Sequence, residues 1–245
     1  WTYSRWLRAY SLIREDMPSD RREKWARALI QGYDGISRSD LKNIHNIATH
    51  HAMGLYMAGN LFDRPDWRRQ AGDYMGRIIG AQSEGGYWSE GGGPVVSYNF
   101  VYAEALAIYY SMSRDERVMP ALERAASYHY HFTYPDGTNV ETIDQRNPYH
   151  NTVHEANVSF TYTALGRAYL HNLWNKLGRE KLSNDLLSSL VLHGVEGPMA
   201  VPEANEGDRS VFLLRDSGQD RAAVVRQGPW FVCLSAYTSP ISRNR

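Results

Sequence analysis

Apolar side chains recur at helical spacing along most of the chain, and this periodicity limits the possible folds more than any other feature. Residues 64–80 give the clearest case, because one stripe with a period of about 3.6 residues runs through Trp67, Ala71, Tyr74, Met75, Ile78 and Ile79. Asp63 is expected to cap this helix, with Pro65 in its first turn. Similar patterns predict further helices over residues 2–14, 20–31, 42–60, 97–112, 115–132, 153–173 and 178–192.

Short turns such as Ser113-Arg114-Asp115 join several of these segments, so consecutive helices are expected to pack as antiparallel hairpins. About eight helices are too many for a simple four-helix bundle, and no fixed-length repeat is visible. The predicted fold class is therefore mainly α. Residues 1–205 are expected to form an incomplete (α/α) toroid of helical hairpins around a central cleft.

The pattern changes from about residue 208, where short apolar runs alternate with Gly and Asp turns. Three strands are predicted, at Val211–Leu214, Ala222–Arg226 and Trp230–Leu234. Three strands alone leave exposed edges and little core. Residues 206–245 are therefore expected to begin a β-sandwich domain that is cut short or completed by residues outside this chain. The first residue is Trp1 and not Met, which allows for an upstream leader or domain.

Composition excludes several classes of protein. The 27 basic and 27 acidic side chains cancel, so no strong field indicates nucleic acid or an anionic membrane as partner. No apolar run approaches the roughly 20 residues that span a bilayer, and no signal-peptide pattern is present. The single cysteine, Cys233, excludes an internal disulfide and is expected in the core. Seven Trp and 17 Tyr against 6 Phe suit sugar binding, or half-buried helix positions.

Three segments carry candidate chemistry. In the 42–60 helix, Asn43, Asn46 and His50 have helical spacing that places them on one face, and His51 lies beside it. Amides there are suited to bind a carboxylate while an imidazole moves a proton. The alternative is that neighbouring helices satisfy the two histidines.

The second segment is the glycine-rich loop 85–98. Its glycines allow close approach of a ligand to the backbone, and its candidate contacts are Tyr87, Trp88, Glu90 and Tyr98. It lacks the Gly-Lys-Ser/Thr of a phosphate loop. The alternative is a surface loop whose aromatic side chains are anchored in the core.

The third segment is 136–150. Arg146 is suited to bind an acidic sugar through two hydrogen bonds. Glu141 and Asp144 are candidates for acid and base, or for salt bridges to Arg146. His150 and His154 have i, i+4 spacing, but Pro148 weakens the helix that a metal site would need. No metal and no Ser-His-Asp hydrolase are expected, since neither the His-Glu-x-x-His nor the Gly-x-Ser-x-Gly motif occurs.

The run Glu84–Glu90 followed by Tyr98-Asn99 resembles the heparinase II/III and alginate-lyase group of polysaccharide lyases. This resemblance implies a helical toroid followed by a β-sandwich and β-elimination from a uronic acid. It implies that Tyr98 acts as acid, or as acid and base, that His50 or His51 acts as base, and that Asn46 neutralises the substrate carboxylate. Substrate contacts are then expected at Asn43, Tyr87, Trp88, Glu90, Asn99, Arg146 and His150.

The chain departs from the group at the Asn-Asn-His motif that the group often carries. It has Asn46-Ile47-Ala48-Thr49-His50-His51 instead, which leaves the choice of histidine open. Because an ordinary tyrosine pKa is near 10, a role for Tyr98 as base requires a nearby cation such as Arg146.

The resemblance further implies an acidic polysaccharide or oligosaccharide as partner and a secreted or periplasmic location. It implies no cofactor, although a structural metal is allowed in the rest of the β-domain. Two alternatives remain open. One is a glycoside hydrolase on the same toroid with Glu90 and Asp144 as paired carboxylates. The other is a glycan-binding fragment without activity.

Overall fold

The computed structural model describes residues 2–39, 41–90, 93–144, 151–200 and 209–237. This part contains eight α-helices: α1 (Thr2–Ile13), α2 (Ser19–Ser39), α3 (Asn46–Leu61), α4 (Pro65–Gly80), α5 (Val96–Ser113), α6 (Val118–His131), α7 (Ala164–Leu177) and α8 (Asn184–His193). Four short 3-10 turns occupy Arg14–Asp16, Glu141–Ile143, Val158–Tyr162 and Arg179–Lys181. Three strands follow, β1 (Arg209–Asp216), β2 (Gln219–Gln227) and β3 (Trp230–Ser235). The prediction of a mainly helical chain with C-terminal strands is confirmed.

Several helix ends differ from the prediction because local side chains set them. Asp63 does not cap α4: it has a positive φ of 49°, and Arg64 is the capping residue without a side-chain bond, although Pro65 begins the helix as expected. The predicted helix 153–173 begins only at Ala164, because the Thr163 hydroxyl accepts the Gly166 N–H. The predicted helix 178–192 begins at Asn184, where the Ser183 hydroxyl accepts the Leu186 N–H.

The chain forms two compact units, residues 1–81 with 108–115 and residues 82–107 with 116–245. In the first unit, helices α1 to α4 bury a core that includes Leu7, Leu29, Tyr33, Leu55, Trp67, Met75 and Ile78. Gly54 of α3 lies against Tyr33, whose hydroxyl is 2.9 Å from the position of an added Cβ. A larger side chain at Gly54 would therefore require the buried Tyr33 side chain to shift.

The second unit has two buried clusters. One joins α5, α6 and α7 around Phe100, Ala126, Phe160, Tyr169 and Leu173. The other joins α6 to the sheet through Tyr128, Phe132, Leu214, Ala222 and Val224. The strands predicted as a separate domain thus share a core with a helix. The predicted boundary near residue 206 lies outside the described residues.

The sheet is antiparallel in the order β1-β2-β3. Alternate residues of each strand face the helical core, and Cys233 is half-buried there, packed against the core cluster. The opposite face is also apolar. Its side chains align across the strands: the exposed Val211 pairs with the half-buried Val225, and Val225 pairs with the exposed Val232. Sheets with two apolar faces are typical of layered domains.

Candidate functional site

The first candidate cluster is the start of α3, in the unit formed by residues 1–81 and 108–115. His45 is the N-cap, with an extended backbone, and its Nδ1 accepts the Ala48 N–H at 3.3 Å. Asn46 therefore begins the helix, one turn before His50. Both side chains are buried, at 8% and 5% exposure, and His51 is half-buried. The predicted grouping of Asn46, His50 and His51 on one helix is thus present.

His50 differs electrostatically from an ordinary histidine. Burial, reinforced by the nearby cations Arg5 and Arg8, lowers its pKa from 6.5 to about 3. His50 is therefore neutral at pH 7, and its basicity is too low for efficient removal of a carbon-bound proton.

Asn43 was predicted on the same helical face, and this prediction is wrong. It lies before the helix, is exposed, and its backbone carbonyl accepts a hydrogen bond from the Tyr74 hydroxyl at 3.0 Å. The helix begins three residues later because His45 supplies the cap. Lys42 and Asn43 precede it in a bend, with the Lys42 carbonyl accepting a bond from Arg77.

The second candidate cluster is the start of α5, in the other compact unit. Tyr98 is half-buried in the first turn of this helix. The turn is fixed at its beginning by Asp144, whose carboxylate accepts the Val96 N–H at 2.8 Å. An acidic side chain at a helix N-terminus is also favoured by the helix dipole. Asp144, one of the two carboxylates considered for acid–base catalysis, thus caps the helix that carries Tyr98.

Asn99, the next residue, joins three segments of the chain. Its Oδ1 accepts the Trp88 N–H at 3.1 Å, and its Nδ2 is 3.2 Å from His129 Nε2. Because the amide nitrogen only donates, Nε2 of His129 must be unprotonated and accept. Asn99 and His129 are 0% and 1% exposed. Asn99 was predicted as a substrate contact, and the structure places it in the interior instead.

His129 is held neutral by the same surroundings. Its ring stacks on Phe100 with centroids 4.1 Å apart. Burial lowers the pKa of His129 from 6.5 to about 3. Protonation would remove the acceptor that Asn99 uses, so the hydrogen bond and the low pKa support each other.

The predicted sugar contacts of the glycine-rich loop are mostly interior. Tyr87 and Trp88 are 2% and 1% exposed, so neither ring offers a face to a ligand. Tyr87 donates to Asp216 Oδ2 at 2.6 Å, and Trp88 stacks on Tyr102. Tyr102 in turn donates to Glu90 Oε1 at 2.8 Å. The alternative interpretation of this loop, aromatic side chains anchored in the core, describes these residues.

The 136–150 segment is only partly described. Arg146 and His150, both predicted to contact substrate, lie outside the described residues. Glu141 accepts a hydrogen bond from the Tyr134 hydroxyl at 2.8 Å. His154 lies in a segment without regular secondary structure, stacked on Phe100, with its Nδ1 accepting the Ala156 N–H at 2.9 Å.

Three residues of this network were not among the site residues predicted from the sequence. His129 continues the apolar stripe of α6 that includes Val118, Leu122 and Ala125, so helical spacing marks it as interior. Tyr102 is likewise one turn after Asn99 on an apolar helix. Asp216 is separated from Tyr87 by 129 residues, and no local pattern identifies that pairing.

Among the described residues, no three His, Cys, Asp or Glu side chains come together as a metal site. None of the described helices combines the length and the apolar character needed to cross a membrane. No known protein-family model matches the chain, and neither does any curated protein sequence.

Proposed function

We propose that this chain acts as a polysaccharide lyase on a glycan that contains uronic acid. The observation that carries the proposal is the start of α3, where Asn46 and His50 lie buried one turn apart and His51 follows at a half-buried position. Polar side chains in register on an otherwise apolar helix require partners or a ligand. An amide and an imidazole are the groups that proton removal beside a carboxylate needs.

The reaction is a β-elimination. A base removes the C5 proton of the uronate, and the electron pair left on C5 forms the C4–C5 double bond as the bond from C4 to the glycosidic oxygen breaks. An acid then protonates the departing oxygen. The C5 proton is weakly acidic, so the neighbouring carboxylate must be neutralised by hydrogen-bond donors for the enolate-like intermediate to form.

The structure supports a choice between the two histidines. His50, with a pKa lowered to about 3, is a weak base and is suited to hydrogen bonding in its neutral form. His51 is half-buried. We therefore assign proton removal to His51, carboxylate binding to Asn46, and a supporting role to His50.

Tyr98 is assigned the proton donation to the leaving oxygen. Tyr98 lies half-buried in the first turn of α5. The cap by Asp144 and the interior bonds of Asn99 fix the turn, so the phenol is carried by a rigid element.

The architecture that belongs to this proposal is an (α/α) toroid followed by a β-sandwich. The packing of α3 against α4, which a three-residue link joins, supports the first part, because helical hairpins are its repeating element. The apolar outer face of the sheet supports the second part, because a β-sandwich covers such a face with another sheet.

A glycoside hydrolase with Glu90 and Asp144 as paired carboxylates has weaker support. Asp144 caps α5, and Glu90 accepts the hydroxyl of the buried Tyr102. Both carboxylates are half-buried, and these bonds give them structural roles within the unit.

The test is incubation with a panel of uronate-containing polysaccharides while ultraviolet absorbance is recorded, because the new C4–C5 double bond is conjugated with the carboxylate. We expect absorbance to rise with the wild-type protein. Tyr98→Phe and His51→Ala should each lower the rate by about 100-fold or more, as loss of an acid or base typically does. His50→Ala should have a smaller effect.

Matched controls are available in the second unit. Tyr130 is half-buried on α6 and His171 is exposed on α7, so Tyr130→Phe and His171→Ala should keep the wild-type rate. New reducing ends without ultraviolet absorbance would contradict elimination. Full activity in Tyr98→Phe would remove the tyrosine from the mechanism.

A further inference from the structure

A cleft between α1 and α2 has the composition of a ligand site and is independent of the α3 and α5 residues. It has a volume of about 470 Å³ and is lined by Trp6, Lys24, Trp25, Ala28 and Leu29. That volume lies within the range of small-molecule sites in proteins, about 300–1,000 Å³. We refer to these five residues as the α1/α2 cleft.

The two tryptophans are unusually exposed for their type. Trp6 and Trp25 are 51% and 40% accessible, whereas the Leu29 side chain at the base is 4% accessible. The Trp25 ring is nevertheless packed against a neighbour, because Tyr10 stacks on it, and Tyr10 also stacks on Phe62. The Trp25 side of the cleft is thus held by neighbouring rings, which lowers the side-chain entropy that binding costs.

Lys24 gives the cleft its only charge among the lining residues. In the described part of the chain Lys24 forms no ion pair, whereas its neighbour Glu23 pairs with Arg27 at 3.4 Å. The ammonium group is therefore available to a ligand. An occupant that complements the whole cleft has a flat apolar face for the indoles and a negative charge for Lys24.

We propose that the α1/α2 cleft binds one sugar unit of an anionic glycan. The C–H face of a pyranose ring stacks on indole, and its carboxylate or sulfate pairs with Lys24. This choice of ligand rests on the proposed lyase function, since the same polymer would supply both sites. The cleft then acts as an anchor that keeps the polymer bound between cleavage events, separate from the residues assigned to the reaction.

The test measures binding of an oligouronate, and of a neutral oligosaccharide of equal length, by titration calorimetry. The Tyr98→Phe protein is used so that the ligand is not consumed. Trp6→Ala should weaken oligouronate binding about tenfold, and Lys24→Ala about threefold, as expected for loss of aromatic stacking and of an exposed charge pair. The Lys24→Ala effect should shrink as salt is raised.

Matched controls come from the other compact unit, where Trp230 is 73% exposed and Lys181 is exposed. Trp230→Ala and Lys181→Ala should leave the affinity unchanged. Folding of each variant is checked by its unfolding midpoint. Equal oligouronate affinity in Trp6→Ala and wild type would overturn the proposal, as would equal affinity of the wild type for the neutral sugar. An apolar peptide that displaces the oligouronate from the cleft would instead identify a protein-docking surface and also overturn it.

Failure of this proposal and failure of the lyase proposal are distinguishable. If the cleft proposal fails but the lyase proposal holds, the wild-type protein should still form ultraviolet-absorbing product. If the lyase proposal fails but the cleft proposal holds, oligouronate binding should still depend on Trp6 and Lys24 but not on His51.

Discussion

Replacement of Asn99 by alanine tests whether the turn carrying Tyr98 depends on one buried amide. The change removes the acceptor of the Trp88 N–H and the donor to His129 Nε2, and both of those residues are 1% exposed. A buried polar group left without a partner costs about 1–3 kcal/mol, so two groups give about 2–6 kcal/mol. Because whole domains are stable by only about 5–15 kcal/mol, the effect should be large.

The chain offers a matched control on α7. Asn175 Nδ2 lies 3.3 Å from the ring of His171, also as an Asn–His pair, but this pair is exposed. Asn175→Ala should change the free energy of unfolding by no more than about 0.5 kcal/mol. Urea unfolding followed by both circular dichroism and tryptophan fluorescence measures the two variants. Coincident transitions are needed before either value is read as a two-state free energy.

Asn99→Asp adds a test of the hydrogen-bond direction. The carboxylate keeps the acceptor for Trp88 but faces the lone pair of His129 Nε2, so this variant should be least stable relative to wild type at alkaline pH. The stability difference between Asn99→Asp and wild type should become smaller as the pH is lowered, because His129 then takes up a proton. If Asn99→Ala is as stable as wild type, or if Asn99→Ala and Asn175→Ala lose the same free energy of unfolding, burial does not make the Asn99 hydrogen bonds important for stability.

Three further predictions follow from the same interior. The folded-state pKa of His129, about 3, lies below its ordinary 6.5, so between those pH values only the unfolded state binds this proton. The stability that neutral His129 contributes is therefore complete above pH 6.5 and should fall by up to about 1.4 kcal/mol per pH unit towards pH 3. Urea unfolding measured across this pH range should show a shallower slope for His129→Gln. Gly86→Ala should lower the free energy of unfolding by several kcal/mol, because Gly86 has a φ of +87° and an added Cβ would overlap the Arg124 carbonyl. Gly80→Ala is the control: an added Cβ there has nothing within 4 Å, so this change should be neutral or slightly stabilising. Thermal or urea unfolding measures both variants. Tyr87→Phe should lose about 1–3 kcal/mol by removing the 2.6 Å bond to Asp216, and no loss in urea unfolding would contradict that bond.

Local patterns in the sequence were sufficient for most of the secondary structure. The apolar stripe through Trp67, Tyr74 and Ile78 predicts α4 within one residue at its beginning, and the three C-terminal strands are correctly placed. Helix ends were harder to predict because a single hydrogen bond decides them. His45 and Thr163 begin α3 and α7 through bonds to specific backbone N–H groups, and propensity does not reveal which polar residue will form one.

The candidate site was predictable only in part, for a different reason. Asn46 and His50 share a face because the helix period requires it. Whether Tyr87 and Trp88 face a ligand or the core depends on which distant segment covers the loop. Asp216 and Tyr102 determine that outcome, and neither belongs to the motif that drew attention to the loop.

The most direct test of the central claim, that the chain cleaves a uronate glycan by elimination, is mass spectrometry of products formed in water labelled with heavy oxygen. Elimination breaks the bond from C4 to the glycosidic oxygen without adding water. Unsaturated products that contain no label are therefore expected, formed at least about 100-fold more slowly with Tyr98→Phe and with His51→Ala. Saturated products, with one labelled oxygen incorporated for each bond cleaved, would show hydrolysis and contradict the claim.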